Sequence, residues 1–149
     1  MASQVLIVED HPLVAEATAR LIELARPIQP VLSSDAESTR RLLDQKGDVW
    51  FRIFLDLDIP GAYGLSLARE IKDRGLAGRT CVVSASDKSE YVDEVRRWGF
   101  LGYIAKAIPV AEFETSIRRI LDGKAAFPEV ATSHRAWVSL PRSSAGSES

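Results

Sequence analysis

The chain has 149 residues, 46% hydrophobic and 27% charged, with a formal net charge of −2 and a pI of about 5.7. This composition fits one domain with a core of its own, and it argues against the chain alone gripping a nucleic-acid backbone, which needs a basic face. No stretch reaches the roughly 20 apolar residues of a membrane span, no signal peptide is evident, and the single cysteine, Cys81, excludes an internal disulfide. We therefore expect a cytoplasmic protein without a membrane partner.

The first strand pattern covers residues 5–8 (Val-Leu-Ile-Val). Such a continuous apolar run is typical of a strand that is buried on both faces. Pro12 is well placed for the first turn of the helix that follows, and Pro27 ends that helix. Apolar residues at helical spacing predict that its inner face carries Val14, Ala17, Leu21 and Leu24.

The second unit combines a weak strand with a well-marked helix. Residues 28–33 contain a proline, so we predict a strand at the edge of the sheet. The spacing Ser34-x-x-Glu37 matches a capping box. It predicts the start of a second helix, with Leu42 and Leu43 on the inner face.

Three more strand–helix units follow in the same alternation. We predict strands over 51–55, 80–83 and 101–105, and helices around Leu67 to Ile71, over 87–98 and from Phe113 to Leu121. Gly99 lies where a glycine commonly ends a helix. Five such units predict an α/β fold with a doubly wound, five-stranded parallel sheet covered by five helices, joined by right-handed connections.

The alternation ends after Lys124. We assign 1–124 to the folded domain and 125–149 to a linker or tail, because the later segment contains prolines and a Ser/Gly-rich end. Three apolar residues in this tail could dock on the domain or on a partner. They are Trp137, Val138 and Leu140.

Four of the predicted strands end in polar side chains, and in a parallel sheet these ends share one edge. They are Glu9 and Asp10 after the first strand, Asp56 and Asp58 after the third, Ser84 after the fourth and Lys106 after the fifth. Crowded carboxylates repel one another, and an oxygen-only ligand set favours Mg²⁺ as the cation that relieves the repulsion. A carboxylate beside Mg²⁺ can attack a phosphoryl group to form an aspartyl phosphate. Lys106 would supply a cation and Ser84 a hydroxyl donor.

Each of these residues has an ordinary explanation when it is taken alone. The acidic pair could cap the next helix, the serine could belong to a turn, and the lysine could be a solvated surface charge. His11 needs no role beyond the start of a helix. Their joint occurrence at successive strand ends favours a single site.

These motifs together resemble a known family. Residues 5–14 (VLIVEDHPLV), 56–61 (DLDIPG) and 102–106 (GYIAK) are similar to receiver (CheY-like) domains of two-component response regulators, in particular the NarL/LuxR type. The resemblance covers about residues 4–123. It implies a flavodoxin-like fold with the strand order 2-1-3-4-5.

The resemblance also implies a role for each site residue. Asp56 matches the phosphoacceptor, and Lys106 matches the lysine that pairs with a phosphoryl oxygen. Ser84 and Tyr103 match the switch residues. For Mg²⁺, Asp10 matches the direct ligand, Glu9 matches a ligand that binds through water, and Asp58 matches a ligand that binds through its backbone carbonyl. The chain departs from the pattern in three places. Asp58 is acidic, Ala107 stands where proline often follows the lysine, and Phe100 replaces a small residue near Tyr103 and Trp98.

The resemblance implies a signalling switch rather than an enzyme. A sensor histidine kinase would donate a phosphoryl group to Asp56 with Mg²⁺ bound. The fourth helix, fifth strand and fifth helix would then shift as Tyr103 turns inward. Homodimerisation on phosphorylation is a further expectation. So is control of transcription, with DNA contacted only through an output domain outside this chain.

Three alternatives remain open. The chain could be a stand-alone receiver that acts by protein contact, or a scaffold with the same fold that acts without phosphorylation. Asp56-x-Asp58 also resembles the nucleophile motif of haloacid-dehalogenase-like phosphatases. That motif normally follows the first strand, however, and the chain lacks their later acidic metal pair and a cap insertion.

Overall fold

Five parallel strands form one sheet in the order β2-β1-β3-β4-β5 in the computed structural model of the chain, which describes residues 3–128. The strands are β1 (Gln4–Val8), β2 (Val31–Ser33), β3 (Trp50–Leu55), β4 (Thr80–Ser84) and β5 (Gly102–Ala105). The helices are α1 (Pro12–Ala25), α2 (Ala36–Lys46), α3 (Ser66–Asp73), α4 (Ser89–Arg97) and α5 (Val110–Leu121). The predicted doubly wound sheet, its strand order and its five helices are confirmed. The tail residues Trp137, Val138 and Leu140 lie outside the described residues.

The sheet is buried on both faces. Alternate residues of a strand point to opposite sides, so Leu6 and Val8 pack into one core while Val5 and Ile7 pack into the other. Burying one such aliphatic side chain stabilises the fold by about 1.5–3 kcal/mol. Within the described part of the chain, no helix combines the length and apolar character that crossing a bilayer requires.

The fully buried face of α1 lies one residue on from the predicted one, although Leu21 is partly buried and packs against the core as predicted. The helix buries Ala15, Thr18 and Ile22, each one position after a predicted residue, and Leu24 is 75% exposed. A polar residue can occupy the buried stripe because the Thr18 hydroxyl donates to the Val14 carbonyl at 2.8 Å. The spacing of apolar residues could not predict that Thr18 is buried, because it places this polar residue on the solvent-facing side of the helix.

The start of α2 is also corrected. The side chain of Asp35, not of Ser34, accepts a hydrogen bond from the Ser38 backbone N–H, at 2.6 Å, while Ser34 is exposed. The preceding strand is shorter than predicted: it covers Val31–Ser33, and Ile28 donates its backbone N–H to the Arg26 carbonyl at 2.8 Å in a turn. The chain therefore enters α2 one residue later than the capping-box spacing predicts.

Replacing Asp35 with alanine removes this cap, and we expect a lower urea midpoint near neutral pH. The Ser38 backbone N–H lowers the pKa of Asp35 in the folded state. The cap therefore stabilises the fold fully at pH values above the ordinary pKa of an aspartate. This stabilisation is lost as the pH falls through the lower pKa of Asp35 in the folded state. Urea titrations at several pH values check this. Ser34→Ala is the control, because Ser34 is exposed and makes no cap. If Ser34→Ala lowered the urea midpoint and Asp35→Ala did not, the assignment of the cap to Asp35 would be wrong.

Candidate functional site

Backbone hydrogen bonds that extend one residue past three strands position the charged side chains. Glu9 donates its N–H to the Ser33 carbonyl at 2.8 Å, Asp56 to the Val8 carbonyl at 2.9 Å, and Lys106 to the Ser84 carbonyl at 2.8 Å. Each strand pairing thus continues into the first residue of the loop. As a result, these side chains meet at the carboxyl edge of the sheet, where α/β folds carry their sites.

The ammonium of Lys106 lies between two buried carboxylates. Its Nζ is 2.8 Å from Glu9 Oε1 and 3.0 Å from Asp56 Oδ2. The side chains of Glu9 and Asp56 are only 4% and 2% exposed, and that of Lys106 is 22% exposed. Two carboxylates so far removed from water require a cation. The sequence placed Lys106 at this edge but gave no indication that it contacts Glu9 as well as Asp56.

The surroundings of Glu9 and of Lys106 shift the pKa of each group. Burial raises the pKa of Glu9, and the Asp56 carboxylate raises it further, while Lys106 opposes both. Burial disfavours the charged form of Lys106, but its hydrogen bonds to Glu9 and Asp56 outweigh burial and raise its pKa. The lysine therefore stays positively charged at neutral pH and balances the carboxylates beside it.

Asp10 completes a cluster of acidic oxygens. One carboxylate oxygen from each of Glu9, Asp10 and Asp56 lies within 4.8 Å of the others, and only Asp10 is exposed. Such a set of hard oxygen donors could hold a divalent cation. The backbone N–H of Asp58 donates to Asp56 Oδ1 at 3.0 Å. The Asp56 carboxylate is therefore held at one oxygen by Asp58 and at the other by Lys106.

Ser84 and Tyr103 both form hydrogen bonds to Ser86. Ser84 is fully buried, and its Oγ accepts a hydrogen bond from the Ser86 N–H at 3.1 Å. The Tyr103 side chain points inward and its hydroxyl donates to the Ser86 carbonyl at 2.5 Å. Burial raises the pKa of Tyr103 to about 12, so the phenol remains a donor. Ser86 was not predicted as a site residue, and its spacing two residues after Ser84 was the only available signal.

The bulky residues near the predicted switch pack toward α3. Phe100 is buried, and the Trp98 ring centroid lies 6.4 Å from that of Phe100. Arg69 and Lys72 of α3 place their cationic groups 5.7 and 5.4 Å from the Trp98 ring centre. Trp98 is thus a half-buried packing residue that joins the end of α4 to α3.

Known proteins similar to this chain share one family. The sequence profile described as "Response regulator receiver domain" matches residues 5–118. The glycerol metabolism activator of Pseudomonas putida is 30% identical over 126 residues, which cover 84% of this chain and 57% of that protein. The nitrate/nitrite response regulator protein NarL of Escherichia coli strain K12 is 27% identical over 129 residues, which cover 86% and 59%. The chain therefore spans less than two thirds of the length of these curated relatives.

A solved structure of a response regulator is also similar to this chain. The two-component response regulator of the LuxR family from Aurantimonas sp. SI85-9A1 superposes with a TM-score of 0.74 and 28% sequence identity. The match covers 91% of this chain and 99% of that one. The similarity thus includes nearly the whole described part of the molecule.

Replacing Lys106 with methionine removes the cation between two buried carboxylates. Breaking a buried ion pair in this way typically costs about 3 kcal/mol, so we expect a loss of that order in the free energy of unfolding. Urea denaturation in the presence of EDTA measures it. Lys124→Met is the matched control, because Lys124 is exposed. If the two variants were equally stable, the carboxylates would not depend on Lys106.

Proposed function

The chain belongs to the response regulator receiver domain family of two-component signalling, in its NarL/LuxR type, and from this premise we propose that Asp56 accepts the phosphoryl group. The observation that carries the proposal is the contact of Lys106 with the Asp56 carboxylate at 3.0 Å. That contact aligns the carboxylate and places a positive charge where phosphoryl oxygens would arrive. Domains of this family act as signalling switches.

In the proposed step, an Asp56 carboxylate oxygen attacks the phosphorus of a phosphohistidine on a sensor kinase. A phosphorus–oxygen bond forms, the phosphorus–nitrogen bond breaks, and the electron pair of that bond leaves with the imidazole. Lys106 shifts toward a phosphoryl oxygen and stabilises its charge. The Ser84 hydroxyl donates to a second oxygen. The Asp58 N–H keeps the acceptor carboxylate in place throughout.

We assign the metal role to the acidic cluster. Glu9, Asp10 and Asp56 would hold Mg²⁺, with the backbone carbonyl of Asp58 as a further ligand. The bound cation would supply positive charge to the transferring phosphoryl group. The hard oxygen donors of the cluster and the absence of histidine and cysteine from it support this choice of metal.

The position of the switch residues indicates how phosphorylation would be transmitted to a partner. Tyr103 lies on β5, so a movement of Ser84 and Ser86 would reach the face formed by α4, β5 and α5. Residues 1–124 are then the receiver and 125–149 a linker or tail. In the cytoplasm, phosphorylation would favour a homodimer. An output domain outside this chain would contact DNA and control transcription.

Asp56→Asn should abolish phosphorylation, because an amide cannot form the acyl phosphate. Wild-type chain incubated with acetyl phosphate and Mg²⁺ should gain one phosphoryl group, which intact-protein mass spectrometry detects. Asp58→Asn is the matched control and should still be labelled, since it keeps the backbone N–H that contacts Asp56. Labelling of Asp56→Asn would contradict the assignment. Sustained release of inorganic phosphate that Asp58→Asn abolishes would instead indicate a phosphatase.

Asp10→Asn should weaken Mg²⁺ binding by at least about ten-fold, because it removes a charged ligand from the cluster. Isothermal titration of the full chain with MgCl₂ measures the Kd. The control is Asp48→Asn, which makes the same change at an exposed aspartate just before β3, at the opposite edge of the sheet. Equal affinities for the two variants would exclude Asp10 as a ligand.

A further inference from the structure

The Tyr103 ring lies inward while Lys106 contacts the Asp56 carboxylate. Tyr103 is 1% exposed, and its hydroxyl donates to the Ser86 carbonyl at 2.5 Å. In the same structure, Lys106 Nζ lies 3.0 Å from Asp56 Oδ2. The rotamer expected on phosphorylation is therefore present together with a carboxylate acceptor. The contacts that favour this rotamer lie on the other side of β5.

The chain turns back after α5 and runs beside the outer edge of β5, the last strand of the sheet. Ala126 forms a parallel bridge with Gly102. The Tyr103 N–H donates to the Ala126 carbonyl at 2.8 Å, and the Ala126 N–H donates to the Leu101 carbonyl at 3.3 Å. A segment that the sequence assigned to the linker therefore pairs with the sheet. We call residues 125–128 the covering segment.

The bridge makes Phe127 the neighbour of Tyr103. Gly102 is paired with Ala126, so the next residue on each of the two parallel segments again lies beside the other. Successive side chains of an extended chain point to opposite faces. Phe127 and Tyr103 accordingly pack into one core, while Ala126 packs into the other. Phe127 therefore occupies the position directly outside Tyr103, at the edge of the sheet.

Rotation of the Tyr103 ring away from Ser86 would require that position. A side chain on a strand commonly has two staggered χ1 rotamers available. Ser86 follows β4, the inner neighbour of β5, so the rotamer that leaves Ser86 turns toward the outer edge. An uncovered edge strand is open to solvent on that side. In this chain the Phe127 side chain fills the space instead.

Contacts from both flanking helices hold Phe127 in place. The Arg96 guanidinium of α4 lies 4.5 Å from the centre of the Phe127 ring, which is a cation–π distance. Arg119 of α5 donates its Nε–H to the Ala125 carbonyl at 2.9 Å. Gly102 permits the close approach, because an added Cβ would lie 2.6 Å from a backbone carbonyl oxygen of the covering segment. The covering segment is thus anchored by α4, β5 and α5 together.

We propose that Phe127 is a positioning residue that favours the inward rotamer of Tyr103 before phosphorylation. The chain then already populates the rotamer that phosphorylation selects, and modification of Asp56 shifts the remaining population toward it. The effect of Phe127 needs no phosphoryl group. Only its agreement with the direction of the switch rests on the proposed function. Without the phenyl ring, the Tyr103 rotamer should depend on phosphorylation.

Fluorine NMR of the full chain labelled with fluorotyrosine measures the exposure of the Tyr103 ring. The loss of one resonance in Tyr103→Phe identifies its signal, and the change in chemical shift between H₂O and D₂O reports contact with solvent. Without ligand, this change should be several-fold larger in Phe127→Ala than in the wild type. Phe127→Leu should keep the wild-type value, because leucine still fills the edge.

Two further variants complete this arm. Arg96→Ala keeps the phenyl ring but removes its contact with α4, so it should expose Tyr103 less than Phe127→Ala does. Phe51→Ala is the control that removes a partly buried ring from the other core, and it should have no effect. If Phe127→Ala does not fold, the comparison of Arg96→Ala with Phe51→Ala decides. An exposed Tyr103 ring in the wild type would overturn the proposal, and so would equal responses of Phe127→Ala and Phe51→Ala.

The second arm adds Mg²⁺ and beryllium fluoride to Phe127→Ala. We expect the Tyr103 ring to become buried again, and to stay exposed when Asp56→Asn is combined with Phe127→Ala. Acetyl phosphate labelling of Phe127→Ala tests the proposed function separately. Labelling of Asp56 without renewed burial of Tyr103 would overturn the proposal and leave the phosphoacceptor assignment intact. Absence of labelling would overturn that assignment, and the first arm alone would then decide whether Phe127 holds the ring inward.

Discussion

The site depends on the ammonium of Lys106 lying between the carboxylates of Glu9 and Asp56, at 2.8 and 3.0 Å. Both carboxylates are nearly removed from water, where like charges repel strongly. The backbones of all three residues are fixed by hydrogen bonds that continue the strand pairings. The geometry of the ion pairs therefore depends on the strand pairing at this edge of the sheet. An arriving phosphoryl group would compete for the lysine that now neutralises its acceptor.

Hydrogen bonds also connect Ser84, at the end of β4, to Tyr103 of β5. Ser84 is buried, its carbonyl accepts the Lys106 backbone N–H, and hydrogen bonds join it through Ser86 to the inward-facing Tyr103. Tyr103 also belongs to β5, whose outer edge is paired with Ala126.

The sequence predicted the fold and the members of the site because apolar runs mark strands, and strand ends in a parallel sheet meet. It could not predict features that depend on side-chain contacts. The buried stripe of α1 was missed because Thr18 satisfies its hydroxyl within the helix. The cap of α2 is Asp35 rather than Ser34, and both residues are of types that cap helices, so the sequence alone did not distinguish them. The pairing of Ala126 with β5 involves one bridge, too short for any periodic signal.

A crystal structure of the chain with Mg²⁺ and beryllium fluoride tests the central claim most directly. We expect the beryllium to be bonded to an Asp56 carboxylate oxygen, with Lys106 Nζ contacting a fluoride and no longer lying between Glu9 and Asp56. The metal should contact the carboxylates of Asp10 and Asp56. A structure in which Asp56 remains unmodified, or in which Lys106 stays between the two carboxylates beside a bound fluoride complex, would contradict the account.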